Sequence, residues 1–108
     1  MRTEEFISVR MFDCEIAALL QTEPNQKEEL FQLCYETALR LSEQKSKALE
    51  IASQITNENQ RNVVVTWLSC SDKTFDDISE EMCYTLRHIS RLFKGGISEL
   101  ESAGLLVA

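Results

Sequence analysis

The side chains able to do acid–base, nucleophilic or metal chemistry are few and scattered. One histidine, His88, and four cysteines, Cys14, Cys34, Cys70 and Cys83, stand in a chain of 108 residues. A cysteine nucleophile needs a neighbouring base to form its thiolate, and His88 is the sole imidazole. No two cysteines have the C-x-x-C spacing of a zinc or redox site, and one histidine does not improve the ligand count. There is no glycine-rich phosphate loop and no recognisable setting of paired carboxylates. The expected chemistry is therefore binding rather than catalysis, with no metal and no cofactor. Nothing marks the chain as secreted, so the cysteines are expected as reduced, buried thiols.

The one pattern with a chemical direction is a run of cations. From Tyr84 to Ile97 the charged side chains are Arg87, Arg91 and Lys94, without a single acid. The whole chain has 11 Lys+Arg against 18 Asp+Glu, a formal net charge of -7. Residues 1–59 hold 6 basic and 11 acidic side chains, and residues 60–108 hold 5 and 7. A positive helix on an acidic protein is the footprint expected of phosphate binding. A merely solvated helix face would show the same three cations.

Helical elements must position these groups. With only 3 Gly and 1 Pro, the chain lacks the tight turns of a small β-sandwich. Phe6, Val9, Phe12, Ile16 and Leu19 recur every three or four residues and predict a helix over Thr3–Gln21. Pro24 breaks it, and Asn25 can cap the next helix. Leu30, Cys34, Ala38, Leu41, Ala48, Ala52 and Ile55 then form a stripe that predicts a long helix, or two, from about Gln26 to Ile55. Together these make a helical arm or antiparallel hairpin, whose stripe is either domain core or a dimer seam.

Residues 56–108 carry the cations. Thr56-Asn57-Glu58-Asn59 is rich in capping residues. Val63, Val64, Val65, Trp67 and Leu68 follow; three valines favour a strand, but helices on both sides predict a helix here too. Ser71-Asp72-Lys73 is a polar break. Thr74-Phe75-Asp76-Asp77 has the form of a capping box, opening a short helix with Ile78 and Met82 inward. Cys83-Tyr84 is the turn, and Thr85 caps a last helix with apolar positions Leu86, Ile89, Leu92, Phe93, Ile97 and Leu100. Gly95-Gly96 lies inside that pattern and predicts a close approach, a kink or a helix end.

Short helix, turn and second helix are the parts of a helix-turn-helix. Thr74 to Leu92 resembles the DNA-binding segment of sigma factor region 4, most of all in the phage and prophage regulators of the ArpU/RinA type. Thr74, Phe75, Asp76, Asp77, Ile78, Glu80 and Glu81 match the first helix of that pattern. Thr85 matches its cap, and Arg87, Ile89, Arg91 and Leu92 match its recognition helix. The close match covers Thr74 to Leu100, with a looser one back to about Ile55. Cys83 stands where a turn glycine is common, Ser79 and Gly96 where alanine is usual, Asp72 for a glycine, and Leu68-Ser69 for Arg-Tyr.

The expected fold is thus all-α: a helical arm (1–55) and a sigma region 4-like helix-turn-helix (56–108) in one domain. The resemblance implies a transcriptional regulator that binds double-stranded DNA, with Thr85–Leu100 in the major groove. Arg87 and His88 are placed to reach base edges. Arg91, Lys94 and Ser90 lie outward, nearer phosphates, and Lys73, Thr74 and Thr85 can add backbone contacts. The arm would serve a homodimer or RNA polymerase. The alternative is a helical protein-interaction module that uses the acidic arm without DNA. An exposed, unpaired Arg87/Arg91/Lys94 face favours DNA; the same face neutralised by arm carboxylates favours the module. A winged variant, with a strand starting at Ala103–Val107, is a smaller alternative. The longest early apolar run, Ile16–Leu20, cannot span a bilayer, and the acidic start does not resemble a signal peptide; both point to a cytoplasmic protein without a membrane.

Overall fold

The computed structural model describes residues 1–21 and 28–108, and the fold is all-α. Helices α1 (Thr3–Ser8), α2 (Phe12–Leu20), α3 (Glu28–Ala52), α4 (Glu58–Ser69), α5 (Phe75–Met82) and α6 (Leu86–Ser102) follow in order. The expected break at Pro24 and Asn25 lies outside the described residues. The single helix predicted over Thr3–Gln21 is divided by a 3-10 turn at Val9–Met11. The long stripe is one helix of 25 residues. The valine run is helical within α4, because tertiary packing of Val63 and Val64, both fully buried, outweighs their weak strand preference.

The arm is an antiparallel pair: Phe6 and Val9 pack with Ala48 and Ala52, while Asp13, further along, meets Lys45, further back. The expected stripe has a gap at position 45, and the structure explains it. Lys45 occupies the inner face, its side chain 10% exposed, and its Nζ forms a salt bridge with the Asp13 carboxylate of α2. A buried ammonium without such a partner would be strongly disfavoured. At the other end the stripe is not domain core, one of the two roles expected for it. Leu30 is exposed, as are Leu20, Leu33, Tyr35 and Leu39. Two helices side by side enclose one seam only, so the far half of the arm cannot cover its remaining apolar side chains. The radius of gyration, 16.1 Å, accordingly exceeds the roughly 13 Å of a compact chain of this length.

The main core joins both halves of the chain. Phe6, Val9, Ala48, Ala52 and Ile55 pack against Val64, Leu68, Ile97, Leu100 and Leu106. Leu106 belongs to a tail that turns back at Gly104 (φ 79°). There Thr3 N–H donates to the Val107 carbonyl at 2.9 Å and Val107 N–H to the Met1 carbonyl at 3.0 Å. The winged alternative is therefore not adopted: the tail clips the N-terminus by an isolated bridge. None of the four cysteines is buried, contrary to expectation, and all are free thiols.

Arg10 is a second joint between the halves. From the 3-10 turn its Nη2 donates to the carbonyls of Ser71 (3.4 Å) and Lys73, in the α4–α5 connection. Its guanidinium lies 4.6 Å from the centroid of the Trp67 ring. Trp67 in turn packs edge-on against Phe93 at 4.9 Å, and Phe75 lies 5.4 Å from Phe93. These aromatics sit between the main core and a smaller one of Val63, Ile78 and Ile89 that holds α4, α5 and α6 together.

Candidate functional site

Local sequence fixes the backbone around the cations. Thr74 caps α5: its N–H donates to Asp77 Oδ2 at 2.9 Å while its hydroxyl accepts from the Asp77 N–H at 3.3 Å, a complete capping box. Those backbone and hydroxyl hydrogen bonds hold the Asp77 carboxyl below its ordinary pKa of 3.8. Helix α5 ends at Cys83, in the left-handed region with φ 57°. This is the position where the resemblance expects glycine, and the reason is steric, since glycine adopts that conformation at the least cost. Ser79 gains a use that alanine would lack: its hydroxyl donates to the Tyr84 carbonyl and clasps the turn. Thr85 then caps α6 by accepting from the His88 N–H at 3.2 Å.

Helix α6 lies close to α4, and the two glycines are the reason it can. A Cβ on Gly96 would stand 2.9 Å from Val64 Cγ2 and 3.2 Å from Ile55 Cδ1. Of the three sequence expectations for Gly95-Gly96, close approach is the one realised, and the helix continues through to Ser102. At its far end Glu99 accepts from the Thr56 hydroxyl and, at 3.0 Å, from the Thr56 N–H. Those bonds, the hydroxyl first, lower the Glu99 pKa from its ordinary 4.5.

The outward face of α6 forms one wall of an open groove of about 650 Å³, lined by Phe75, Asp76, Leu86, Arg87, Ser90, Arg91 and Lys94. Arg87, Arg91 and Lys94 are exposed, and among the described residues none of them has a salt bridge. Ser90 is half-buried between them. The fold thus brings together four of the expected residues on one face: Arg87, Ser90, Arg91 and Lys94.

The other four stand apart from it. His88, though exposed, is not part of the groove lining; its ring lies edge-on to Tyr84 at 4.7 Å. Lys73 is paired with Glu81 at 2.9 Å, and that carboxylate raises the ammonium pKa above its ordinary 10.5. Thr74 and Thr85 are occupied as caps.

Sequence reasoning missed three groove residues. Leu86, expected among the apolar core positions, is 48% exposed and stands at the first position of α6, outside the Ile89 cluster. Phe75 and Asp76 reach the groove from the start of α5. The signal available for Leu86 was its place directly after the cap, one turn before the first buried residue.

The chain matches no protein-family model, no curated protein and no solved structure. The resemblance to region 4 of sigma factors accordingly rests on the residues quoted for it.

Proposed function

We propose that this protein is a cytoplasmic, sequence-specific regulator that binds double-stranded DNA, of the phage or prophage type, with α5 and α6 as its helix-turn-helix and α6 in the major groove. The observation that carries the reading is the exposed, unpaired cation face of Arg87, Arg91 and Lys94. A face held by arm carboxylates would have favoured the interaction module, and among the described residues no arm carboxylate reaches it. Three cations within three turns of one helix offer phosphates a local charge that a net charge of -7 does not cancel, because screening confines each charge to about 8 Å at physiological salt. In this reading Arg87, nearest the N-terminus of α6, makes the paired guanine contact. Arg91 and Lys94 engage phosphates.

In this reading the arm makes protein contacts. Its uncovered Leu20, Leu30, Leu33, Tyr35 and Leu39 suit a second copy or RNA polymerase better than they suit water.

Binding to random and promoter-region duplexes across a salt series tests the proposal. The affinity should fall with salt at a slope of about -0.9 per neutralised phosphate, roughly -1.8 for Arg91 and Lys94, and Arg87→Ala/Arg91→Ala should remove about half of that slope and weaken binding further through the lost guanine contact. Absence of binding to any duplex at low salt, or binding that the double variant retains unchanged, would refute the reading.

A further inference from the structure

Resting on the DNA reading above, we propose that Leu86 determines part of its sequence specificity by packing on the C5-methyl group of a thymine, beside the base that Arg87 engages. Leu86 is the first residue of α6, is 48% exposed, and lines the same groove as Arg87, Ser90 and Arg91. The first turn of the second helix is the part that reaches base edges in such motifs. A large apolar side chain among cations gains nothing from phosphates. In the major groove only thymine among the four standard bases presents a methyl group, and apolar side chains recognise it by contact.

The backbone beneath Leu86 is held on both sides. Thr85 caps the helix, and the preceding turn is fastened by the Ser79 hydroxyl on the Tyr84 carbonyl and by the Tyr84 N–H on the Ser79 carbonyl at 3.1 Å. A side chain presented on so constrained a turn loses little backbone freedom when it meets a base, which is the condition for discrimination by a single methyl. Leu86 lies outside both buried clusters, so its exposure is not repaid by packing within this chain.

The test uses the whole protein. Duplexes are enriched from a random pool with the unaltered chain, and each thymine of the enriched site is then replaced singly by deoxyuridine, which removes only the methyl group. The expected result is one thymine whose replacement weakens binding about fourfold, the value of burying one methyl. Leu86→Ala should be insensitive to that replacement while keeping the salt slope of the unaltered protein. Enriched duplexes whose affinity no uracil changes would overturn this assignment and leave the DNA reading standing. A Leu86→Ala variant that keeps the uracil penalty would do the same. Failure to enrich any duplex would overturn both.

Discussion

Adjacent alanine substitutions at Gly95 and Gly96 should change stability in opposite directions. Both positions are helical, so each substitution gains roughly 1 kcal/mol of helix propensity. What the new methyl meets decides the sign. At position 95 it would come 2.6 Å from Gln60 Nε2, the far end of a flexible side chain that can swing away. At position 96 it would come 2.9 Å from Val64 Cγ2 and 3.2 Å from Ile55 Cδ1. Val64 is fully buried and β-branched, so its side chain has no alternative rotamer to escape into. Overpacking of this kind costs about 1–3 kcal/mol. Gly95→Ala is therefore expected to stabilise by about 0.5 kcal/mol, and Gly96→Ala to destabilise by about 1 kcal/mol after the propensity gain is subtracted. At roughly 4 °C per kcal/mol for a chain of this size, the two variants should differ by about 6 °C in Tm. Thermal and urea unfolding, followed by helical circular dichroism, measure this directly. Two variants of equal stability, or Gly96→Ala the more stable, would refute the packing of α6 on α4 described above.

Arg10→Ala should cost about 1–3 kcal/mol, through loss of two carbonyl hydrogen bonds and the cation–π contact with Trp67. It should shift the emission of Trp67, the one tryptophan; an unchanged emission spectrum together with unchanged urea unfolding would refute this joint. On the proposed DNA reading, Asp76→Asn should tighten binding a few-fold at low salt, because among the described residues Asp76 is the one acid lining the cationic groove and would repel phosphate; unchanged or weaker binding in a direct titration would remove Asp76 from the proposed interface. Asp77 and Glu99 carry carboxyl pKa values lowered by native hydrogen bonds. Their contribution is present above the ordinary values and is lost as pH falls through the lowered ones. Stability should thus decline on acidification below about pH 4.5, and Asp77→Asn/Glu99→Gln should show a shallower decline in urea unfolding at successive pH values.

The legible parts of this molecule are those governed by groups close together in the chain. Thr74 with Asp77 and Thr85 before α6 could be read as caps because capping joins residues three apart. Asn57, which accepts from the Gln60 N–H at 3.0 Å, belongs to the same class. The all-α class followed from periodicity and from the scarcity of glycine and proline. The clustering of Arg87, Arg91 and Lys94 on one face needed only the helical repeat.

Tertiary packing decided the rest. The stripe on the long helix could not show that its gap at Lys45 faces Asp13, because charge at a buried position is tolerated only by a partner from another helix. It could not show that Leu30 stays uncovered, because apolar spacing reveals a face and not whether anything packs on it. The same limit misplaced Leu86, whose spacing from Ile89 is right for the core but whose turn extends past it. Lys73 and His88 look as available in sequence as Arg87 does. Only the fold pairs Lys73 with Glu81 and turns the ring of His88 onto Tyr84. The sequence by itself determined the all-α class, the caps and the location of positive charge, since these depend on neighbours within about one turn. The tertiary structure decided which side chains share the groove, since that depends on where α4 and α5 hold α6, a contact that the two glycines permit and Val64 limits.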